Sequence, residues 1–268
     1  MEHKGNRDRK VAILYICTGN YTVFWKDFYL SYEKNFLPNC KKDYFVFTDA
    51  DSVYGEMQNE RIHRIYQENL GWPDNTLKRY HIFNSQKEIL STFDYCFFMN
   101  ANCICKGMVK EEEFLPIKQR LLVVQHPGFW KKSPLQYTYD RNPRSTAYIE
   151  EGQGVYYVCG GVNGGQTEAF LELAETIQKN VDEDKQRGIV ALWHDESHIN
   201  RYILNRNDFR ILSPSYCYPE GWKIPFEKKI MVREKSKWLD MDAIRNNKKE
   251  KESIIRKIKS KIKGYGFK

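Results

Sequence analysis

Apolar positions in the first half of the chain alternate between short solid runs and a helical rhythm. Residues 11–17 are an unbroken apolar run closed by Thr18-Gly19-Asn20, the pattern of a strand buried on both faces. Phe24, Phe28, Tyr32 and Phe36 then recur at helical spacing until Pro38 stops them. Residues 44–48 and 62–66 read as the next two strands, the second more polar. Residues 75–90 read as one helix with Leu77, Tyr80, Phe83 and Ile89-Leu90 on a shared face. Residues 94–99 and 121–125 are further apolar runs. Strands alternating with helical stretches predict an α/β chain with a mostly parallel, doubly wound sheet.

The rhythm breaks after residue 125. Residues 126–157 are rich in Pro, Gly, Tyr and polar side chains and have no period, as expected of a long binding loop. Four glycines fall within residues 156–165, and paired glycines let a backbone approach a ligand closely. Residues 167–178 and 195–204 read as helices, with late strands at 211–212 and 230–232. Two units follow: a folded domain over 1–245 and a tail over 246–268.

Charge separates these units. The chain has 268 residues and a net charge of +8. Residues 245–268 hold ten basic and two acidic groups, so the body is neutral and the tail carries the whole excess. In the tail, Ile254, Ile255, Ile258 and Ile262 form one apolar stripe among lysines. This is a basic amphipathic helix, suited to peripheral contact with an anionic membrane face or to simple solvation. A neutral body gives no second basic face, so nucleic acid is not an expected partner. No run is long enough to span a membrane, and no secretory leader is visible at the start. Seven cysteines, an odd number without a regular framework, point to a reduced, cytoplasmic protein.

Four segments could carry chemistry. Asn100-Ala101-Asn102 ends a strand, where open α/β sheets bind ligands. Its amides suit a sugar or phosphate, although Asn is also common in turns. Trp193-His194-Asp195-Glu196-Ser197-His198 opens a helix with an indole and two carboxylates. Indoles stack on sugars, and carboxylates serve as nucleophile or base. Acidic residues at a helix start are also ordinary capping. His194 and His198 are four apart, but the glutamate is not next to the first histidine as zinc hydrolases require. Gly71-Trp72-Pro73-Asp74 leads into a helix with Lys78 and Arg79 in its first turns, which calls for an anion, either ligand or ion-pair partner. Cys159-Gly160-Gly161 sits in the glycine-rich stretch, which matches neither a dinucleotide fingerprint nor a P-loop.

Taken in order, these motifs resemble glycosyltransferase family 6, the retaining α-1,3-galactosyl- and N-acetylgalactosaminyltransferases that include the ABO blood-group enzymes. The resemblance covers residues 11–245. It rests on Gly19-Asn20-Tyr21, Trp72-Pro73-Asp74 with Arg79, Asn100 to Asn102, Tyr137-Thr138-Tyr139-Asp140-Arg141 and Ser145-Thr146-Ala147-Tyr148-Ile149. It continues through the glycine-rich segment, Trp193 to His198 and Leu212-Ser213-Pro214. It implies a GT-A fold, a single Rossmann-like nucleotide-sugar-binding domain. The substrates it implies are a UDP-sugar donor and an oligosaccharide acceptor.

By motif position, Ile16, Cys17, Thr18 and Tyr21 would line the uracil pocket. Arg79 and Asp195 would hold the donor sugar, with Asn100, Ala101 and Asn102 at the strand end. Glu196 would be the catalytic carboxylate, as nucleophile or as stabiliser of a front-face transition state. His126, Phe129, Trp130, Thr138 and Trp193 would shape the acceptor site. Animal members carry Asp-x-Asp and need Mn²⁺; the Asn form here resembles bacterial members, which lack the Golgi anchor. The resemblance therefore implies transfer without metal or other cofactor. Lys235 is the first choice to meet the leaving UDP, with Arg233 and Arg245 behind it. Cys159, Gly160 and Gly161 occupy the donor-selecting triplet, and their small size favours UDP-GalNAc. Other readings are a UDP-galactose donor and a catalytically silent carbohydrate- or nucleotide-binding protein on the same fold.

Overall fold

The computed structural model describes residues 9–245. The amphipathic reading of the tail, and the membrane contact built on it, lie outside the described residues. The strands are β1 (Lys10–Ile16), β2 (Lys41–Thr48), β3 (Ile62–Tyr66), β4 (Tyr95–Met99), β5 (Cys103–Cys105), β6 (Leu121–Gln125), β7 (Val158–Gln166), β8 (Phe209–Leu212), β9 (Tyr218–Pro219) and β10 (Ile230–Val232). The helices are α1 (Trp25–Asn35), α2 (Asp74–Leu77), α3 (Arg79–Asn84), α4 (Lys87–Leu90), α5 (Glu111–Phe114), α6 (Thr167–Gln186) and α7 (Asp195–Ile203).

Seven strands form the central sheet in the order β3-β2-β1-β4-β7-β6-β8. The pairs β3/β2, β2/β1, β1/β4 and β6/β8 are parallel, and β7 runs antiparallel to both its neighbours. The period-2 geometry of strands divides the core into two layers. Val11, Ile13 and Tyr15 of β1 pack with Trp25, Phe28 and Tyr32 of α1 on one face. Ala12 and Leu14 face α3, α6 and α7 on the other. Tyr44, Val46, Phe97 and Met99 follow the first set, and Phe45, Phe47, Cys96 and Phe98 the second. Covering both faces explains why these strands read as solid apolar runs.

One element is added to the sequence reading and one is corrected. The glycine-rich stretch, to which the sequence pattern assigns no element, is the nine-residue strand β7 in the middle of the sheet. Its glycines serve close approach between strands. A Cβ on Gly165 would lie 2.3 Å from the Arg120 carbonyl oxygen, and one on Gly164 2.2 Å from that of Cys96. The single helix read over residues 75–90 is three short helices, broken at Lys78 and at Ser85-Gln86. After the break at Lys78, Arg79 is buried while Lys78 pairs with Asp74 at 3.2 Å.

The topology decides where a ligand can bind. From β1 the chain moves outward through β2 to β3, then returns so that β4 pairs with the other edge of β1. The carboxyl ends of β1 and β4 thus flank a switch point, where the crevice of an open α/β sheet forms. The start of antiparallel β7 arrives at the same place, and the Asn100 backbone N–H donates to the Gly161 carbonyl at 2.8 Å. Among the described residues no helix is long and apolar enough to cross a membrane.

Gly165→Ala tests the β7 register. Its methyl meets backbone that cannot swing aside, so it should destabilise the fold by at least about 1–3 kcal/mol. A urea melt reads this directly, and an unchanged midpoint would contradict the packing described.

Candidate active site

The switch-point crevice is lined by Ile16, Thr18 and Tyr21 after β1, by Asn100 and Ala101 after β4, and by Arg79 and Lys235. Trp72, Asn75, Thr76, Phe98 and Ile244 complete it. Most donor-side residues named from the sequence therefore meet here. Three do not present side chains to it. Cys17 is fully buried in the core; its N–H donates to the Phe47 carbonyl at 2.9 Å and its carbonyl accepts from the Thr48 hydroxyl at 2.8 Å. Cys159 also packs into the core beneath the site, against the Cys217 thiol. Asn102 turns inward and donates to the Arg233 carbonyl at 2.5 Å. The two strand-end amides therefore do not project together: Asn100 reaches the crevice, and Asn102 ties β4 to the segment beyond β10.

Helix α7 is clamped to β7 by one amide. Asn200 accepts from the Val158 N–H at 3.0 Å and donates to its carbonyl at 2.9 Å. This places the start of α7 over Gly160, where an added Cβ would lie 3.2 Å from the Glu196 Cβ and 3.4 Å from Asp195 Oδ2. On Gly161 it would lie 3.1 Å from the Asn100 amide nitrogen. Successive Cα atoms are only about 3.8 Å apart. The carboxylates and the strand-end amide thus crowd against two neighbouring residues that carry no side chain.

The carboxylates are held differently. Asp195 is buried and ion-paired with Arg79, whose guanidinium also donates to the Gly160 carbonyl at 3.2 Å and lies 4.1 Å over the Phe98 ring. Burial pushes the Asp195 carboxyl up to about 6 against the pull of Arg79. Glu196 is half-buried and has no ion pair among the described residues. It accepts from the Gly160 N–H at 2.8 Å and from the Tyr157 hydroxyl at 3.0 Å. Burial pushes it up to about 7, opposed by those two donors. A carboxylate poised near neutrality beside an open crevice suits a reacting group.

Most of the residues named from the sequence for the acceptor gather around Tyr157. The Phe129 ring lies tilted against Tyr157 with centroids 4.2 Å apart, and His126 meets Tyr157 edge-on at 5.6 Å. Burial lowers His126 to about 4, so its ring is neutral. Its Nδ1 accepts from the Gly128 N–H at 3.0 Å, which leaves Nε2–H to donate. The half-exposed Trp193 indole donates to the Thr138 hydroxyl at 3.1 Å. Trp130 lies farther out, edge-on to Phe226 at 4.9 Å. The long loop is pinned rather than loose. Asp140 accepts from the Leu192 N–H at 2.9 Å, and Asp184 of α6 accepts from Ser145 and Thr146.

Sequence reasoning gave no role to Tyr157, although it stands beside Tyr156 three residues before Gly160. It also missed Phe98, whose strand pattern said only that it was buried. Of the cations named behind Lys235, Arg233 is structural: it is buried, paired with Asp27 at 2.8 Å and packed on Phe24 and Trp238. Lys235 lines the crevice 5.1 Å from the Tyr21 ring centroid and has no ion-pair partner among the described residues. Burial and the nearby Arg79 lower its amine to about 8. The residues at this corner fit a divalent metal poorly. Asn100 is a neutral donor, Asn102 is committed elsewhere, and a lysine amine shares the space. Among the described residues no cluster of three His, Cys, Asp or Glu could hold a metal ion.

A mostly parallel sheet with a polar crevice at its switch point and a half-open carboxylate beside it is consistent with the GT-A fold of glycosyltransferases. More specifically, residues 4–246 match the model of glycosyltransferase family 6, and the chain belongs to that family. It is 35% identical over 230 residues to the O-antigen biosynthesis glycosyltransferase WbnI of Escherichia coli, covering 85% of this chain and 95% of that protein. It is 28% identical over 225 residues to histo-blood group ABO system transferase 2 of Rattus norvegicus, covering 81% and 66%. Globoside alpha-1,3-N-acetylgalactosaminyltransferase 1 of Gallus gallus is 26% identical over 220 residues, covering 78% and 62%. The family implies a nucleotide-sugar donor and a glycan acceptor.

Arg79→Met should leave Asp195 as an unpaired buried charge and destabilise the protein by about 3–5 kcal/mol. Denaturant melts should show the loss, and Asp195→Asn in the same background should recover part of it. A neutral single substitution would mean the ion pair does not form.

Proposed function

We propose that the enzyme transfers GalNAc from UDP-GalNAc, with retention, to the 3-hydroxyl of a galactoside without a metal ion. A fucosylated, H-antigen-like galactoside is the acceptor we favour. The reading is carried by the Glu196 carboxylate, which has no cation of its own and stands next to the Arg79–Asp195 pair of the donor crevice. The C1–O bond to the diphosphate breaks with its electron pair leaving on UDP. The acceptor 3-oxygen bonds to C1 and its proton passes to the departing phosphate oxygen. Glu196 meets the positive charge that develops at C1, as nucleophile or as electrostatic stabiliser.

Metal independence is supported by the donor chemistry of the corner. The neutral Asn100 amide stands there in place of a carboxylate, and Lys235 supplies a positive charge within the same crevice. GalNAc is supported by the small residues of the triplet Cys159-Gly160-Gly161: Cys159 faces the core, and the two glycines bring no side chain between the donor crevice and the Glu196 and Asn100 side chains packed against them. The α-1,3 linkage is supported by family membership and by the activity in the name of the globoside relative.

Three measurements test the reading together. Glu196→Gln should still bind UDP while transfer falls by about 10²–10³-fold or more. Parent activity should survive EDTA, and UDP-GalNAc should outpace UDP-Gal on 2′-fucosyllactose. Transfer by Glu196→Gln at the parent rate, or an absolute Mn²⁺ requirement, would refute the corresponding part.

The pH profile follows from the two shifted groups. Glu196 works as the carboxylate, so kcat/KM should climb as pH rises through about 7. Lys235 works as the ammonium, so it should fall again beyond about 8. Lys235→Ala should remove the alkaline limb and cost about 10²–10³-fold in kcat. An alkaline limb unchanged in that variant would reassign it.

A further inference from the structure

Glu196 receives its second hydrogen bond from the end of a chain of donors. The Trp193 Nε1–H donates to Thr138 Oγ1 at 3.1 Å, and the Thr138 hydroxyl donates to the Tyr157 oxygen at 3.3 Å. The Tyr157 hydroxyl then donates to Glu196 Oε1 at 3.0 Å. Direction is forced at both ends, because an indole N–H can only donate and a carboxylate can only accept. Every proton in the series points toward Glu196, and the Gly160 N–H approaches its other oxygen. Chains aligned in one sense polarise each other and strengthen the last bond.

We propose that Tyr157 and Thr138 are positioning residues that hold Glu196 ionised and aimed into the crevice, with the Trp193 indole anchoring the open end. This rests on Glu196 being the reacting carboxylate. Trp193 and Thr138 are exposed on the acceptor side, whereas Tyr157 is buried under Phe129 and Tyr139. The chain therefore runs from the surface an acceptor would touch to the group that meets C1. A glycan seated on the indole bears on the carboxylate without touching it.

Other charged and titratable groups face Glu196. Asp195 beside it raises its affinity for a proton, and Arg79 on α3 lowers it. Cys217, on the turn after β8, has its thiol held well above the ordinary range and stays neutral. The Tyr157 hydroxyl is the one side-chain donor from the loop wall, and it opposes the burial that pushes Glu196 upward.

The test is the pH dependence of kcat/KM for the donor, with UDP affinity as a fold control. In Tyr157→Phe the acid limb should move up by about one pH unit, as expected for losing a hydrogen bond to a charged group. That shift means a loss of about tenfold at pH 6 shrinking to about twofold at pH 8, with UDP affinity unchanged. Thr138→Val and Trp193→Phe should shift the limb the same way by less, and Thr138 is an exposed site where folding is not at risk. Equal losses at both pH values, or a parent-like acid limb in both Tyr157→Phe and Thr138→Val, would overturn the inference. Glu196→Gln run alongside separates the two readings. If it is inactive while the limb stays put, only the positioning role fails; if it transfers normally, the catalytic assignment itself has failed.

Discussion

Two carboxylates stand side by side at the head of one helix, and among the described residues only one of them, Asp195, is ion-paired, with Arg79. A charge withdrawn from water must be paired or it takes up a proton. Asp195 is fully enclosed and is matched by Arg79. Glu196 keeps a window on the crevice and is matched by two neutral donors, a backbone N–H and a phenol. An ion pair would hold Glu196 low and inert; neutral donors leave it charged yet poised. The division of labour between neighbours follows from which of them the guanidinium can reach.

That arrangement depends on missing side chains as much as on those present. Gly160 and Gly161 let α7 and the end of β4 approach β7 together, and any Cβ there would push on Glu196 or Asn100. The long aromatic loop is drawn into the same assembly. Tyr137, Tyr139, Ile149 and Tyr157 pack into their own small core, and Asp140 and Asp184 fasten its backbone. A loop tied down this firmly can present Phe129, His126 and Thr138 as a preformed wall, which reduces the ordering entropy of ligand binding. His194 enters α7 with φ at +53° and its ring against Trp72. Strain of this kind persists only where surroundings enforce it, and it lies at the site.

Much of the architecture was legible because burial on both faces of a sheet writes solid apolar runs. Strands β1, β2, β4 and β6 were readable for that reason, as was α7 from its acidic start. Strand β7 was not, because glycines carry no hydrophobic signal and their role is set by neighbours distant in sequence. The breaks after Leu77 and Asn84 were hidden too, since their apolar positions still share one face. In the site, Glu196, Asp195, Arg79, Asn100 and Lys235 were legible as motif chemistry. Cys17, Cys159 and Asn102 were named by position along a motif, but a strand sends alternate side chains to opposite sides.

The sequence by itself determined the fold class, the family and the residue types available for chemistry, because these are written in local periodicity and in ordered motifs. Tertiary structure alone decided which carboxylate Arg79 would claim, that Asn102 and Arg233 would serve the scaffold, and that Tyr157 would reach Glu196. Those outcomes depend on contacts between segments from about 40 to 130 residues apart. Hydrogen bonds and ion pairs are fixed within a few ångströms, and no pattern along the chain carries that distance.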